Sequence, residues 1–255
     1  MTRPPGSQRL IVALDTTDPV RAAAWARASF TSAGMFKLGL EFFLANGVAG
    51  YRAIAGDDKD DKDDRGRPVF LDLKLHDIPN TVAGAVRAVL PLAPYFLTLH
   101  AAGGAAMIEA ARRAVEAEGP AHNSVPRVKG VPGRPLLLAV TVLTSLDAAS
   151  LADTGVSGGT TQQVLRLARL ALSAGADGLV CSAREVAVLR DALGDGPALV
   201  VPGIRPAGAD LGDQARTMTP REAVAAGADW IVVGRPITGA ADPAAAAAAI
   251  VASIE

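Results

Sequence analysis

The sequence predicts one closed α/β barrel of the (β/α)8 type, spanning residues 1–255 as a single domain. Three observations carry that prediction. Eight short β-branched or aliphatic runs alternate with eight Ala-rich helical stretches. The runs are nearly continuous in apolar residues, which is the pattern of parallel strands covered on both faces. Each unit takes about 32 of the 255 residues, a length that fits strand, helix and two turns repeating around a barrel. An open doubly wound sheet is the rival, and it would usually carry a Gly-rich dinucleotide turn after its first strand. Here the first strand runs into Asp15-Thr16-Thr17-Asp18, without glycine.

In chain order, LIVALD (10–15) precedes a helix over 18–32, and MFKLGL (35–40) one over 41–55. VFLDLK (69–74) leads to 79–92, and YFLTLH (95–100) to 103–118. PLLLAVT (135–141) leads to 160–174, and GLVCS (178–182) to 184–193. ALVVPG (198–203) leads to 219–226, and WIVVG (230–234) to 241–253. AGADGLVCS (174–182) and AGADWIVVG (226–234) echo each other. Each reads as a helix end, a glycine able to turn left-handed, and a strand start. Two segments read as insertions near 56–68 and 118–135, a charge run and a Pro/Gly/basic stretch. Both follow a helix and precede a strand, which places them on the bottom face as solvated loops. The DDKDD run is a poor metal site, because its carboxylates repel one another without fixed geometry.

Composition narrows the function. The 25 Lys+Arg balance 26 Asp+Glu, so no global basic field invites nucleic acid or an anionic membrane. One Cys excludes an intrachain disulfide, and with three His it excludes the common zinc cages. No apolar run reaches transmembrane length, and MTRPPGSQRL lacks the apolar core of a signal peptide. A cytoplasmic protein is expected.

A barrel's active site forms at the C-terminal ends of its strands. Those ends carry Asp15, Lys37, Asp72 with Lys74, and His100 on the first four strands. The later strands offer Thr141 with Thr144-Ser145, then Ser182, Arg205 and Arg235. An apolar barrel needs no such ring, and a buried unpaired charge is costly, so these groups must pair with one another and with a ligand. In VFLDLKLHDIPNTV (69–82), Asp72 and Lys74 share one face of the strand and Leu71 and Leu73 the other. Asp77 follows just beyond. The spacing predicts an alternating set, Lys37-Asp72-Lys74-Asp77, in which every charge is partnered. Gly234-Arg235 and Arg205 follow strands 8 and 7, where barrels usually hold phosphate. GIRPAGADLGDQARTMTP (203–220), with Gly203, Gly208 and Gly212, reads as a lid over that end. His76 and His100 read as structural hydrogen-bonders, His122 as solvated, Cys181 as core, and the alanines of 244–249 as helix surface.

LIVALDTTD, FKLGLEFF, FLDLKLHDIPNTV, LTLHAAGG, AVTVLTS, VVPGIRP, DQARTMTP and GADWIVVGRPIT run in this order from about residue 9 to 240. Together they resemble the orotidine 5′-phosphate decarboxylase family. The resemblance implies a homodimeric barrel with its active site at the interface. It implies conversion of orotidine 5′-monophosphate to UMP and CO2, the last step of de novo UMP synthesis, without cofactor or metal. By motif, Lys74 resembles the proton donor to C6 of the pyrimidine, and Asp72 the carboxylate facing the departing carboxyl group. Lys37 and Asp15 resemble ribose contacts. Asp77, Ile78 and Thr81 resemble residues that reach into the partner's site. Thr144 falls on the base-binding motif, with Ser145 beside it. Arg205, Gln214, Gly234 and Arg235 match phosphate and lid positions. Two rivals remain: a Mg²⁺-dependent sugar-phosphate decarboxylase or aldolase, and a non-catalytic barrel that binds a phosphate ligand. The first would be expected to carry a carboxylate ligand on strand 2, where Lys37 stands and would repel the ion. The intact Lys/Asp set argues against the second.

Overall fold

A computed structural model describes residues 6–56, 68–117, 134–206 and 218–255. Its eight strands are β1 (Leu10–Ala13), β2 (Met35–Gly39), β3 (Val69–Leu75), β4 (Phe96–His100), β5 (Leu136–Val140), β6 (Gly178–Val180), β7 (Ala198–Val201) and β8 (Trp230–Val233). Each pairs in parallel with its chain neighbours, and β1 pairs with β8, so the barrel closes. The helices are α1 (Pro19–Ser29), α2 (Leu40–Ala55), α3 (Pro79–Val89), α4 (Ala105–Ala117), α5 (Ala148–Asp153), α6 (Thr160–Ser173), α7 (Val186–Leu193), α8 (Pro220–Ala225), α9 (Arg235–Thr238) and α10 (Pro243–Ile254).

All eight expected strands form, but several end early. Asp15, Leu40, Thr141, Ser182 and Gly203 lie beyond their strands. The ladder stops where the chain turns toward a helix, although the apolar or polar run continues. Two helices were not expected, α5 and α9, both above the barrel mouth. Each is short, and α5 is held by Asp147, whose side chain accepts the Ser150 N–H. The insertions fall mostly outside the described residues, at 57–67 and 118–133, as does His122.

Strand alternation builds two apolar layers. Inside the barrel lie Ile11, Met35, Phe70, Phe96, Leu136, Leu138, Val200 and Trp230. Outside, Leu10, Val12, Leu71, Leu97, Leu137 and Leu199 meet the helices. The chain has only ten aromatic residues, and four of them plug the lower barrel. Phe96 stands edge-on to Phe70 at 5.6 Å and to Trp230 at 5.1 Å, while Tyr95 packs on it at 4.8 Å. Edge-to-face packing suits the ring quadrupoles, so the four rings form a compact plug in the lower barrel. A cavity lies above it.

The AGAD echo has a structural meaning. Gly175 and Gly227 turn left-handed at φ +99° and +112°. The next N–H, from Ala176 or Ala228, reaches back to Ala171 or Ala223 at 3.0 Å. Both helices therefore end in the same glycine-dependent cap. Among the described residues no helix is long and apolar enough to cross a membrane.

Candidate active site

A cavity of about 480 Å³ opens at the C-terminal mouth of the barrel. Its floor is Ala13, Val140, Val180 and Val232, the uppermost inward residues of their strands, with Phe70, which lies below Asp72 on β3. Above that floor the inward positions become charged. Lys37 sits two residues past Met35 on β2, and Asp72 two past Phe70 on β3.

The charges alternate. Lys37 Nζ donates to Asp15 Oδ1 at 2.9 Å and lies 3.7 Å from Asp72 Oδ2. Lys74 Nζ donates to the same Asp72 oxygen at 2.7 Å. Burial alone would push the Asp72 carboxyl up. The Lys37 and Lys74 ammonium groups, with bonds from Lys74 and Thr98, overcome it and hold the group below the usual carboxylate range. Burial would likewise lower Lys37, but Asp72 and Asp15 raise it above the ordinary lysine value. Both groups are therefore ionised together at neutral pH. Both lysines line the cavity, and the Lys74 side chain is the more exposed of them, 29% against 11% for Lys37, with 10% for Asp72.

The backbone beneath Lys74 is irregular. Phe70 and Leu71 pair with Phe96 and Leu97, but Leu75 pairs with Leu99. Three residues of β3 thus face one residue of β4, Thr98. Lys74 itself takes φ +50°, a left-handed conformation rare for a side-chain-bearing residue. Its N–H donates to Thr98 Oγ1 at 2.9 Å, and the Thr98 hydroxyl donates to Asp72 Oδ1 at 2.9 Å. Thr98 was not among the residues expected at the site. Its signal in the sequence was the inward register shared with His100 and Phe96.

Asp77 does not join the cluster of its own chain. Asp15 takes the expected fourth place beside Lys37 instead. Asp77 is exposed, its carboxylate accepts the Ile78 N–H at 2.6 Å, and among the described residues it forms no ion pair. The strand has ended at Leu75, so the inward alternation no longer applies two residues later. Ile78 is 66% exposed and Thr81 is exposed, and none of the three lines this cavity.

The opposite wall carries Thr144, Arg205, Gly234 and Arg235. Arg205 is buried, and its backbone N–H donates to Met218 O at 3.1 Å. Ile204 and Met218 form an isolated parallel bridge, so the chain leaves and returns at one point. Gln214 and most of the expected lid, with Gly208 and Gly212, lie outside the described residues. Two expected mouth residues serve the backbone instead. Thr141 donates to Val180 O at 3.2 Å, and Ser182 forms a capping box with Glu185 over a short 3-10 turn. Ser145 is exposed and off the cavity wall.

The His76 and His100 rings lie 5.4 Å apart beside the cluster, outside the cavity lining. Burial, then His76 and Lys74, lowers the pKa of His100 and keeps it neutral. Cys181 is buried on the wall, and burial pushes its thiol far up, which makes it unreactive as a nucleophile. Among the described residues no group of three or more His, Cys, Asp or Glu is placed to hold a metal ion.

Known proteins share this arrangement of chain. The family model described as orotidine 5′-phosphate decarboxylase / HUMPS family matches residues 8–250. An orotidine 5′-phosphate decarboxylase of Gluconobacter oxydans is 54% identical over 242 residues, covering 95% of each chain. One from Anaeromyxobacter sp. is 54% identical over 248 residues, covering 97% of this chain and 99% of its own. The crystal structure of the Lactobacillus acidophilus orotidine 5′-phosphate decarboxylase superposes with a TM-score of 0.74 at 35% identity, covering 99% of both chains. With a closed parallel barrel, a Lys/Asp cluster at its mouth and a sequence match along nearly its whole length, the chain belongs to the orotidine 5′-phosphate decarboxylase / HUMPS family.

Proposed function

We propose that this chain decarboxylates orotidine 5′-monophosphate to UMP and CO2, the last step of pyrimidine nucleotide synthesis. The observation that carries the proposal is the Lys74 ammonium, held at 2.7 Å by Asp72 and facing a cavity with two arginines on its far wall. The C6–carboxylate bond breaks, CO2 leaves, and the electron pair stays on C6. No adjacent carbonyl can delocalise that pair. A fixed ammonium stabilises it and then supplies the proton, leaving Lys74 as a neutral amine that water reprotonates. Asp72 holds Lys74 in place. It also stands near the departing carboxylate, though repulsion there is not needed for the proposal.

The remaining roles follow the cavity. Arg205, Gly234 and Arg235 hold the phosphate, and Gln214, outside the described residues, is assigned to the same group by its motif. Asp15 and Lys37 bind the ribose hydroxyls, and Thr144 the base. Asp77, Ile78 and Thr81 project away from their own cavity, which suits a homodimer in which they complete the partner's site. The reaction draws on no cofactor and the enzyme works in the cytoplasm, as one domain over residues 1–255.

The Mg²⁺-dependent alternative is disfavoured by the place of Lys37. Its ammonium already bridges Asp15 and Asp72, the two carboxylates that a divalent ion would need. Absorbance of orotidine monophosphate with purified protein and EDTA decides between them. Loss of the orotate chromophore under chelation is expected; a persistent chromophore would overturn the assignment.

A further inference from the structure

We propose that Thr98 is a positioning residue for the decarboxylation, its one hydroxyl fastening the bent backbone at Lys74 to the Asp72 carboxylate. The inference rests on the activity proposed above. Thr98 is fully buried and does not line the cavity, so it acts only through its neighbours.

A hydroxyl has one proton and two lone pairs. The Thr98 proton goes to Asp72 Oδ1, which leaves Oδ2 to the two ammonium groups at 2.7 and 3.7 Å. A lone pair accepts the N–H of Lys74, the residue whose φ is +50°. That N–H sits where the β3–β4 ladder is broken, so the hydroxyl takes the place of a strand carbonyl. Without it, the carboxylate is free to rotate and the bend loses its tie. Lys74 Nζ would then wander relative to the substrate's C6, and small misplacements of a reacting group are costly.

Asp72 is faced by Lys37 from β2, Lys74 from its own strand, Asp15 beyond Lys37, and the neutral His100 at the end of β4. Thr98 is the uncharged donor in that set. Its loss should therefore raise the Asp72 carboxyl pKa while both ammonium groups remain.

The test compares Thr98→Val, which keeps the β-branched shape, with Thr98→Ser, which keeps the hydroxyl. Thr98→Val should lose about tenfold or more in kcat with little change in KM, in line with misplacement of a catalytic group. Its acid limb should move to higher pH, and Thr98→Ser should restore both. A Thr98→Val enzyme with wild-type kcat and an unmoved acid limb would overturn the inference. If Thr98→Val does not fold, Thr98→Cys, a weak donor, replaces it. Its kcat should fall clearly below that of Thr98→Ser, and equality would overturn the proposal. Titration of the Asp72 ¹³Cγ resonance needs no turnover. If wild type fails to consume orotidine monophosphate, the activity is wrong, yet a raised Asp72 midpoint in the variant still supports the tie and an unchanged one rejects it.

Discussion

Arg190 reaches from α7 to Asp229, and Asp229 in turn accepts the backbone N–H of Leu199 at the start of β7 at 2.8 Å. Arg134 and Asp177 repeat the relation: Asp177 accepts the N–H of Leu137 on β5 at 2.9 Å and is paired by Arg134 and Arg112. Each carboxylate closes an AGAD turn. Each turn's left-handed glycine also lies under an arginine stem, Arg112 over Gly175 and Arg190 over Gly227. The echo in the sequence is thus one device used twice to tie a strand start to its neighbour.

The Arg190–Asp229 pair is buried, with both side chains 9% exposed. Removing Asp229 leaves Arg190 facing the exposed Asp195 at 4.0 Å, a weak substitute, and breaking a buried pair typically costs about 3–5 kcal/mol. Asp229→Ala should show that loss in urea unfolding while kcat of the folded fraction stays near wild type. A loss under ~1 kcal/mol, the scale of a surface pair, would show that the pair is effectively solvated.

Lys74→Ala should lose most of kcat. General acid action is typically worth ~10²–10⁴-fold, and electrostatic preorganisation adds to it. Steady-state turnover within tenfold of wild type would remove Lys74 from the mechanism.

Mixing Asp77→Ala protein with Lys74→Ala protein should restore activity lost in both. If Asp77 completes the site of a partner subunit, as proposed, one site of a mixed dimer would draw Lys74 from one chain and Asp77 from the other, while the second site would carry both lesions. No recovery after verified subunit exchange would assign Asp77 to the site of its own chain.

Arg235→Ala should reduce kcat/KM for orotidine monophosphate by roughly 2–4 kcal/mol, the range of a lost charge-assisted contact. Orotidine, which lacks the phosphate, should be little affected. Free phosphite should raise orotidine turnover in wild type and less in the variant, because remote binding energy then helps assemble the site. Equal losses on both substrates would show that Arg235 supports the barrel instead.

His100 sets a pH dependence of stability. Its pKa is lowered on folding, by burial first and by His76 and Lys74 next. The unfolded chain therefore binds the proton more readily. The contribution is fully present above the unfolded value, about 6.5, and is lost as pH falls through the lower folded value. His100→Gln should flatten the fall in urea midpoint over that acid range. An unchanged slope would place the dependence on another group.

The barrel was legible because parallel strands buried on both faces leave apolar runs that need no partner to identify them. Lys37 and Asp72 were legible because two-residue alternation fixes their side of the strand. Asp77 was misplaced within its own chain because alternation ends with the strand at Leu75. Thr98 escaped notice because a threonine inside FLTLH looks like β-branched filler, and its value depends on a bend in another strand. The short helices α5 and α9 have too few turns to display a period.

The widening of β3 opposite Thr98 gives that strand something like a reading frame. Two residues are added there, so Leu71, Leu73 and Leu75 all still meet the outer layer while Asp72 and Lys74 face the cavity. Deleting or inserting a single residue between Leu71 and Leu75 would shift the phase of the strand beyond that point, turning an ammonium toward the helices and a leucine toward the substrate. Deleting two would keep the phase but erase the bend at Lys74. Length changes tolerated at this point should therefore come in pairs for folding, while none should be tolerated for catalysis.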